Sequence, residues 1–218
     1  MQKTIGIIGQ GFVGSAVNEG LNNFFNIETY DIKKDSTCES ISEICSKCDI
    51  IFVCLPTPMV EVTGECHLGI IEPVLDELNQ CNKKTIIVKS TIPPGTTKNW
   101  NEKYKNIDIV FNPEFLTEAN AINDFKNQNR IIIGGPKKAA SKVRRVYVKA
   151  FPKAKIIKTD STYAEMVKYV TNSFLAMKVS FANEMYQICE GLDIDYDKVI
   201  EYAMHDDRLG YSHWSVPG

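Results

Sequence analysis

The 218-residue sequence contains no apolar run near the roughly 20 residues that a membrane-crossing helix needs, which excludes a helical membrane protein. It lacks a basic, apolar leader: the chain enters a strand-like segment almost at once, so no signal peptide is expected. It lacks an excess of either charge. Twenty-five Lys and Arg face 27 Asp and Glu, a formal charge of −2, so no long-range field draws it to nucleic acid or an anionic membrane. Internal repeats and low-complexity segments are missing as well. Cysteine is present, at positions 38, 45, 48, 54, 66, 81 and 189, but the pattern of a metal site is not. Cys45-x-x-Cys48 has no second such pair, and the nearest histidine, His67, lies in another segment. No metal is expected. All seven cysteines read as reduced thiols of a cytoplasmic protein, with Cys54 and Cys189 serving as small hydrophobes. The adjacent Cys66 and His67 read as loop.

What is there is organised around residues 4–14, TIGIIGQGFVG. A short apolar strand (Ile5, Ile7, Ile8) leads into Gly9, Gly11 and Gly14, in G-x-G-x-x-G spacing, and then into an amphipathic helix carrying Phe12, Val13, Ala16, Val17 and Leu21. Gly9 permits the tight turn, Gly11 lets a pyrophosphate approach the backbone, and Gly14 lets the helix lie close on the strand. The helix N-terminus offers unpaired N–H groups to phosphate. A second strand over 27–30 ends in Asp31, placed to accept from a ribose 2′-OH and to repel a 2′-phosphate. The expected cofactor is therefore NAD rather than NADP, with Lys33 and Lys34 close enough to soften the preference.

Beyond Asp31 the sequence predicts a helix over 36–47, a strand over 49–55, a helix over 70–78, strands over 85–89, 107–111 and 130–133, a helix over 137–151 and an edge strand over 154–157. That alternation predicts a Rossmann-like, doubly wound α/β domain over residues 1–159. Ligands bind at the carboxyl ends of such strands. Gln10, Leu55, Thr57 and Pro58 are accordingly placed beside the cofactor.

From residue 162 to 189 the character changes to one unbroken helix, apolar nearly all round, and so expected to be buried on every side. It spans roughly 40 Å, too long for one small domain to cover. A homodimer through this helix is the expectation. A short helix over 195–203 and a loop over 204–218 follow. Lys168 and Asn172 lie one turn apart on one face of the long helix. They read equally as donors to a developing oxyanion, or as a lysine reaching solvent and an asparagine bonding backbone.

Six blocks together resemble the nucleotide-sugar 6-dehydrogenases: GQGFVG at 9–14, LPTP at 55–58, KSTIPPGTT at 89–97, NPEFLTE at 112–118, KYVTNSFLAMKVSFANE at 168–184, and DRLG with HWSVPG across 207–218. The resemblance runs the whole chain in family order and looks closest to enzymes acting on UDP-glucose. It implies oxidation of a sugar C6 alcohol to a carboxylate through two successive hydride transfers to NAD. Residue by residue, it implies Glu114 as the acid/base carboxylate, Thr91 holding the attacking water, and Lys168 and Asn172 stabilising oxyanions and touching the sugar. Ser90 and Glu118 would line the NAD side. Phe115, Leu116 and Thr117 would meet the sugar nucleotide through backbone, and Arg208 would reach it.

One departure is large. The family's nucleophilic cysteine follows the V-P-G segment, and none of the seven cysteines here occupies that place. The expectation is a fragment: an NAD domain, then from residue 160 the start of a middle dimerisation domain, without the nucleophile or the UDP-binding domain and unable to complete the four-electron oxidation. Two alternatives remain: a 3-hydroxyacid dehydrogenase of the 6-phosphogluconate type, which needs no cysteine, and a catalytically silent NAD-binding dimerisation module.

Overall fold

The computed structural model describes residues 3–216. Pro217 and Gly218, the end of the HWSVPG block, lie outside the described residues, as do Met1 and Gln2. The chain divides into two compact units, Met1–Lys168 and Tyr169–Gly218.

The first unit is an α/β sandwich. In chain order its elements are β1 (Thr4–Ile8), α1 (Phe12–Leu21), β2 (Asn26–Tyr30), α2 (Ile41–Lys47), β3 (Ile50–Val53), α3 (Ile71–Leu78), β4 (Lys84–Val88), α4 (Thr96–Lys103), β5 (Ile107–Phe111), a 3-10 turn (Glu118–Asn120), α5 (Ala121–Lys126), β6 (Arg130–Gly134), α6 (Lys137–Ala150) and β7 (Lys155–Thr159). The sheet order is β2-β1-β3-β4-β5-β6-β7. Strands β1 to β5 pair in parallel, and β6 turns back antiparallel to β5. The chain reverses its winding between β1 and β3, which opens a crevice beyond their carboxyl ends.

Side-chain alternation builds the two core layers. Ile5, Ile7, Phe52 and Val110 face α1, α5 and α6, where they meet Val17, Leu21, Phe125, Val143 and Tyr147. Ile8, Ile51, Val53, Ile86 and Ile109 point the other way, onto Ile44 of α2, Leu75 of α3 and Trp100 of α4. Strands covered on both faces read as continuous apolar runs, which explains why 49–55 shows no alternation in sequence.

The structure corrects three expectations. Residues 36–40 are not helical: the Thr37 hydroxyl accepts from Thr29 N at 2.8 Å while Thr37 N donates to Thr29 Oγ1 at 3.1 Å, which ties this segment to β2. The helix starts only after Ser40, whose hydroxyl accepts from Glu43 N at 3.1 Å. Cys45 and Cys81 form a disulfide, so the reading of seven free thiols fails for this pair; their Cα atoms are 6.2 Å apart. Helices α4 and α5 were not expected. The start of α4 is held by Glu165, buried, whose carboxylate accepts from Gly95 N at 2.6 Å and Thr97 N at 2.8 Å across 70 and 68 residues of sequence.

The expected long helix is α7 (Ser161–Gly191), a single helix of 31 residues. It is not buried on every side within one chain. In the second unit its residues Val170, Phe174, Met177, Phe181 and Ile188 are about half exposed, and they recur at helical spacing as one apolar stripe. The second unit also contains α8 (Tyr196–Ala203), capped by the Asp195 carboxylate. Tyr196 buries its ring against Tyr186 and donates to Trp214 O at 2.7 Å, and the Trp214 indole stands edge-on to Phe181. These contacts fold the loop back on the helix.

Candidate functional site

The glycine turn meets the demands of a phosphate cradle. Gly9 has φ +91°, and a Cβ there would lie 2.5 Å from Cys54 O, so both conformation and space require glycine. A Cβ on Gly14 would fall on the carbonyl oxygen of Gly9. A Cβ on Gly11, by contrast, would meet nothing within 4 Å. Nothing inside the protein requires glycine at 11, and the space in front of it is open. Among the described residues Gln10 Nε2 is buried without a partner, a donor left over in the same turn.

Asp31 closes the far side. Its Oδ2 accepts from Gln10 N at 2.6 Å, and Oδ1 accepts from Lys33 N at 2.8 Å and Lys34 N at 3.2 Å. Burial raises the carboxyl's pKa, but these three backbone bonds and the Lys34 charge outweigh it and hold the group below the usual carboxylate range. Lys34 Nζ donates to Gln10 O at 2.6 Å. Lys33 is exposed. The turn, the orphan amide and the carboxylate together fit a dinucleotide: N–H groups for a pyrophosphate, an acceptor for a ribose hydroxyl.

A cavity of about 380 Å³ continues from the turn, lined by Gly11, Phe12, Val13, Leu55, Thr57, Lys89, Ser90, Thr91 and Glu114, among others. Its floor is fixed by cross-strand bonds. Leu55 N donates to Ser90 Oγ at 3.1 Å, Ser90 Oγ donates to Leu55 O at 2.6 Å, and Thr57 Oγ1 donates to Thr91 O at 2.7 Å. A second cleft, about 590 Å³, is lined by Lys89, Glu114, Phe115, Leu116, Thr117 and Arg130 among others. Glu114 and Lys89 belong to both. A further cavity, about 940 Å³, lies beside α4 and α6 and touches none of the expected site residues.

Glu114 is the centre of the polar network. Its Oε1 is 2.6 Å from Lys168 Nζ, which also donates to Glu114 O at 2.7 Å, and its Oε2 accepts from Leu116 N at 2.7 Å. Both side chains of the pair are almost wholly removed from solvent. A paired carboxylate and ammonium at the mouth of a dinucleotide turn can exchange a proton with an alcohol and hold the oxygen that results.

Not all of the expected residues line these clefts. Pro58 and Glu118 do not line either cleft, and Glu118 is exposed in the 3-10 turn. Asn172 and Arg208 belong to the second unit; Asn172 is exposed, and the Arg208 guanidinium is taken up by Asp206 at 2.8 Å. The sequence reading gave Lys89 no role. Its signal was a charged residue ending an otherwise apolar strand, TIIVK.

Fold and turn define an NAD-binding protein of the Rossmann type. Residues 17–151 match the UDP-glucose/GDP-mannose dehydrogenase family, NAD binding domain, and residues 162–218 match the central domain of the same family. The chain belongs to the UDP-glucose/GDP-mannose dehydrogenase family, and NAD is its cofactor. It is 36% identical over 171 residues to UDP-glucose 6-dehydrogenase TuaD of Bacillus subtilis, covering 74% of this chain and 37% of that protein. It is 34% identical over 170 residues to UDP-glucose 6-dehydrogenase of Rickettsia prowazekii, covering 74% and 39%. A UDP-glucose dehydrogenase structure from Pyrobaculum islandicum superposes with a TM-score of 0.88 at 26% identity, over 98% of this chain and 59% of that one. The match thus spans less than two fifths of these two curated relatives' length.

Proposed function

We propose that this chain is the cofactor-binding part of an NAD-dependent nucleotide-sugar 6-dehydrogenase, with UDP-glucose as the favoured substrate and UDP-glucuronate as the product. The observation that carries the reading is the buried Glu114–Lys168 pair, whose carboxylate lines the same cleft as Gly11. When bound, NAD supplies the hydride acceptor. The chain's own groups then do the rest: Glu114 takes the alcohol proton, Lys168 holds the developing oxyanion, and Thr91 holds water at the cleft wall. Asn172, Phe115, Leu116, Thr117 and Arg208 are proposed to hold the sugar nucleotide, and Gln10, Pro58, Ser90 and Glu118 to border the cofactor. Residues 1–159 serve as the NAD domain and 160–218 as the start of a dimerisation domain.

The half-exposed stripe Val170, Phe174, Met177 and Phe181 supports a homodimer through α7, since an apolar face of that length is otherwise left in water. A cytoplasmic location is part of this proposal: the five free cysteines suit it, and the Cys45–Cys81 disulfide counts against it. A role in building polysaccharides follows from the product, a sugar acid nucleotide.

The test is to mix the 218-residue chain with NAD and UDP-glucose, following NAD binding by calorimetry and UDP-glucuronate by chromatography. Saturable NAD binding without release of UDP-glucuronate is expected, because no cysteine here takes the nucleophile's place. Absence of NAD binding overturns the assignment, and release of UDP-glucuronate overturns the claim about the cysteine.

A further inference from the structure

The near-zero total charge conceals an uneven distribution. Residues 125–159 hold eleven Lys and Arg and no Asp or Glu. Part of that excess collects at the cavity of about 940 Å³, whose lining residues all belong to the first unit. Four lysines from separate elements line it: Lys98 on α4, Lys105 just after α4, Lys137 at the start of α6 and Lys158 on β7. Among the described residues none of the four is in an ion pair. Two carboxylates, Glu102 and Asp160, line the cavity as well. Asp160 is already engaged, its Oδ1 accepting from Thr162 N at 2.9 Å.

Two long helices begin at this cavity. α6 starts at Lys137 and α7 at Ser161, and both residues line it. The strand ends bring the two starts together: Gly135 N donates to Thr159 O at 3.2 Å, and a Cβ on Gly134 would lie 2.8 Å from Ser161 Cα. α6 has no acid in its first turn, and Pro136 at its N-cap makes no side-chain bond, so the positive end of this helix is left without a protein anion. Ser161 is 4% exposed, and among the described residues its hydroxyl has no hydrogen-bond partner. Lys158 is held in place: its Nζ donates to Ser141 Oγ at 3.1 Å, and Ser141 Oγ donates to Lys137 O at 2.8 Å.

We propose that this cavity is a second anion site, separate from the glycine turn, and that it takes a small molecule carrying a phosphate or diphosphate group. The ammonium groups supply charge, the start of α6 supplies N–H donors, and the Ser161 hydroxyl supplies one more. The volume lies near the upper end of the range for small-molecule pockets, about 300–1,000 Å³, and exceeds what a bare ion fills. Glu102 and Asp160 in the same lining oppose a polyanion spread over the whole face, which favours a ligand whose charge sits at one end. The proposal does not rest on the dehydrogenase reading.

The test is a titration of the 218-residue chain with inorganic pyrophosphate at saturating NAD, followed by calorimetry and by amide NMR. NAD keeps the probe off the glycine turn. Saturable binding is expected, with the largest amide shifts at Gly135, Lys137 and Ser161. A variant combining Lys98→Met, Lys137→Met and Lys158→Met removes three exposed side chains. It should weaken pyrophosphate by at least about thirtyfold, the worth of one charge-assisted hydrogen bond, and leave NAD affinity unchanged. Ser161→Ala should weaken it about fivefold, as loss of one neutral donor does. No saturable binding, shifts confined to the glycine turn, or an unchanged pyrophosphate affinity in the triple variant overturns the proposal. The shift map comes from the unaltered chain, so it decides the matter even where a variant fails to fold. If NAD itself does not bind, the same map without NAD still separates the turn from this cavity.

Discussion

Gly11→Ala separates folding from cofactor binding. Gly11 is the N-cap of α1, with φ −63° and ψ −170°, extended backbone that alanine adopts without strain. The added methyl meets no protein atom within 4 Å. Alanine is a poorer N-cap than glycine, but it restricts the unfolded chain; the two effects oppose and leave stability within about 0.5 kcal/mol. Binding is another matter. On the proposed cofactor placement the methyl projects into the space through which a pyrophosphate would approach the first N–H groups of α1. Loss of one charge-assisted hydrogen bond costs about 2 kcal/mol, which is roughly thirtyfold in Kd. Calorimetric titration with NAD, paired with denaturant unfolding, reads both quantities. Unchanged NAD affinity in a folded Gly11→Ala protein would refute the pyrophosphate placement. A large loss of stability would refute the claim that this glycine is there for the ligand.

Gly14→Ala should do the reverse. Its Cβ lands on Gly9 O, so α1 must move off β1, at a cost of about 3 kcal/mol, the upper end for overpacking, seen as a lower urea midpoint. Asp31→Asn should weaken NAD and shift the NAD-to-NADP affinity ratio toward NADP, measured by competitive titration. Because the folded Asp31 pKa is lowered, the stability it contributes is present above the unfolded value and lost as pH falls through the folded one, so unfolding between pH 5 and 3 should be less pH-dependent in Asp31→Asn. Lys168→Met leaves the Glu114 carboxylate buried and unpaired and should cost about 3–5 kcal/mol. Adding Glu114→Gln should recover part of that in a double-mutant cycle. Reducing the Cys45–Cys81 disulfide reopens a link across 36 residues, and the loop-closure model puts the loss at about 4 kcal/mol, measurable by chemical unfolding with and without reductant.

The first unit was legible where local pattern and burial agree. β1, α1, β3 and β5 carry apolar spacing that matches their place in a doubly wound sheet, and the glycine turn says in three residues what the backbone must do there. Helix α4 was not legible because what stabilises its start is Glu165, some 70 residues away. Residues 36–40 misled because a polar run before Ile41 looks like a first turn, while the Thr29–Thr37 exchange of hydrogen bonds depends on this segment lying against β2. The long apolar helix α7 announced itself, but sequence cannot say which of its faces one chain covers. Lys168 left two readings open in the sequence; the structure settles its contacts by pairing it with Glu114. Lys89 was hidden because a lysine at a strand end usually reaches solvent, and only the packing of Asn112, Phe125 and Tyr147 around it closes that route.

The account turns on a dinucleotide lying along the glycine turn with its reactive ring toward Glu114. A crystal structure of this chain with NAD tests that directly. The account predicts the pyrophosphate against Gly11 and the start of α1, a ribose hydroxyl on Asp31, and the nicotinamide in the cleft lined by Thr91 and Glu114. NAD bound in any other cleft, or the nicotinamide turned away from Glu114, would contradict it.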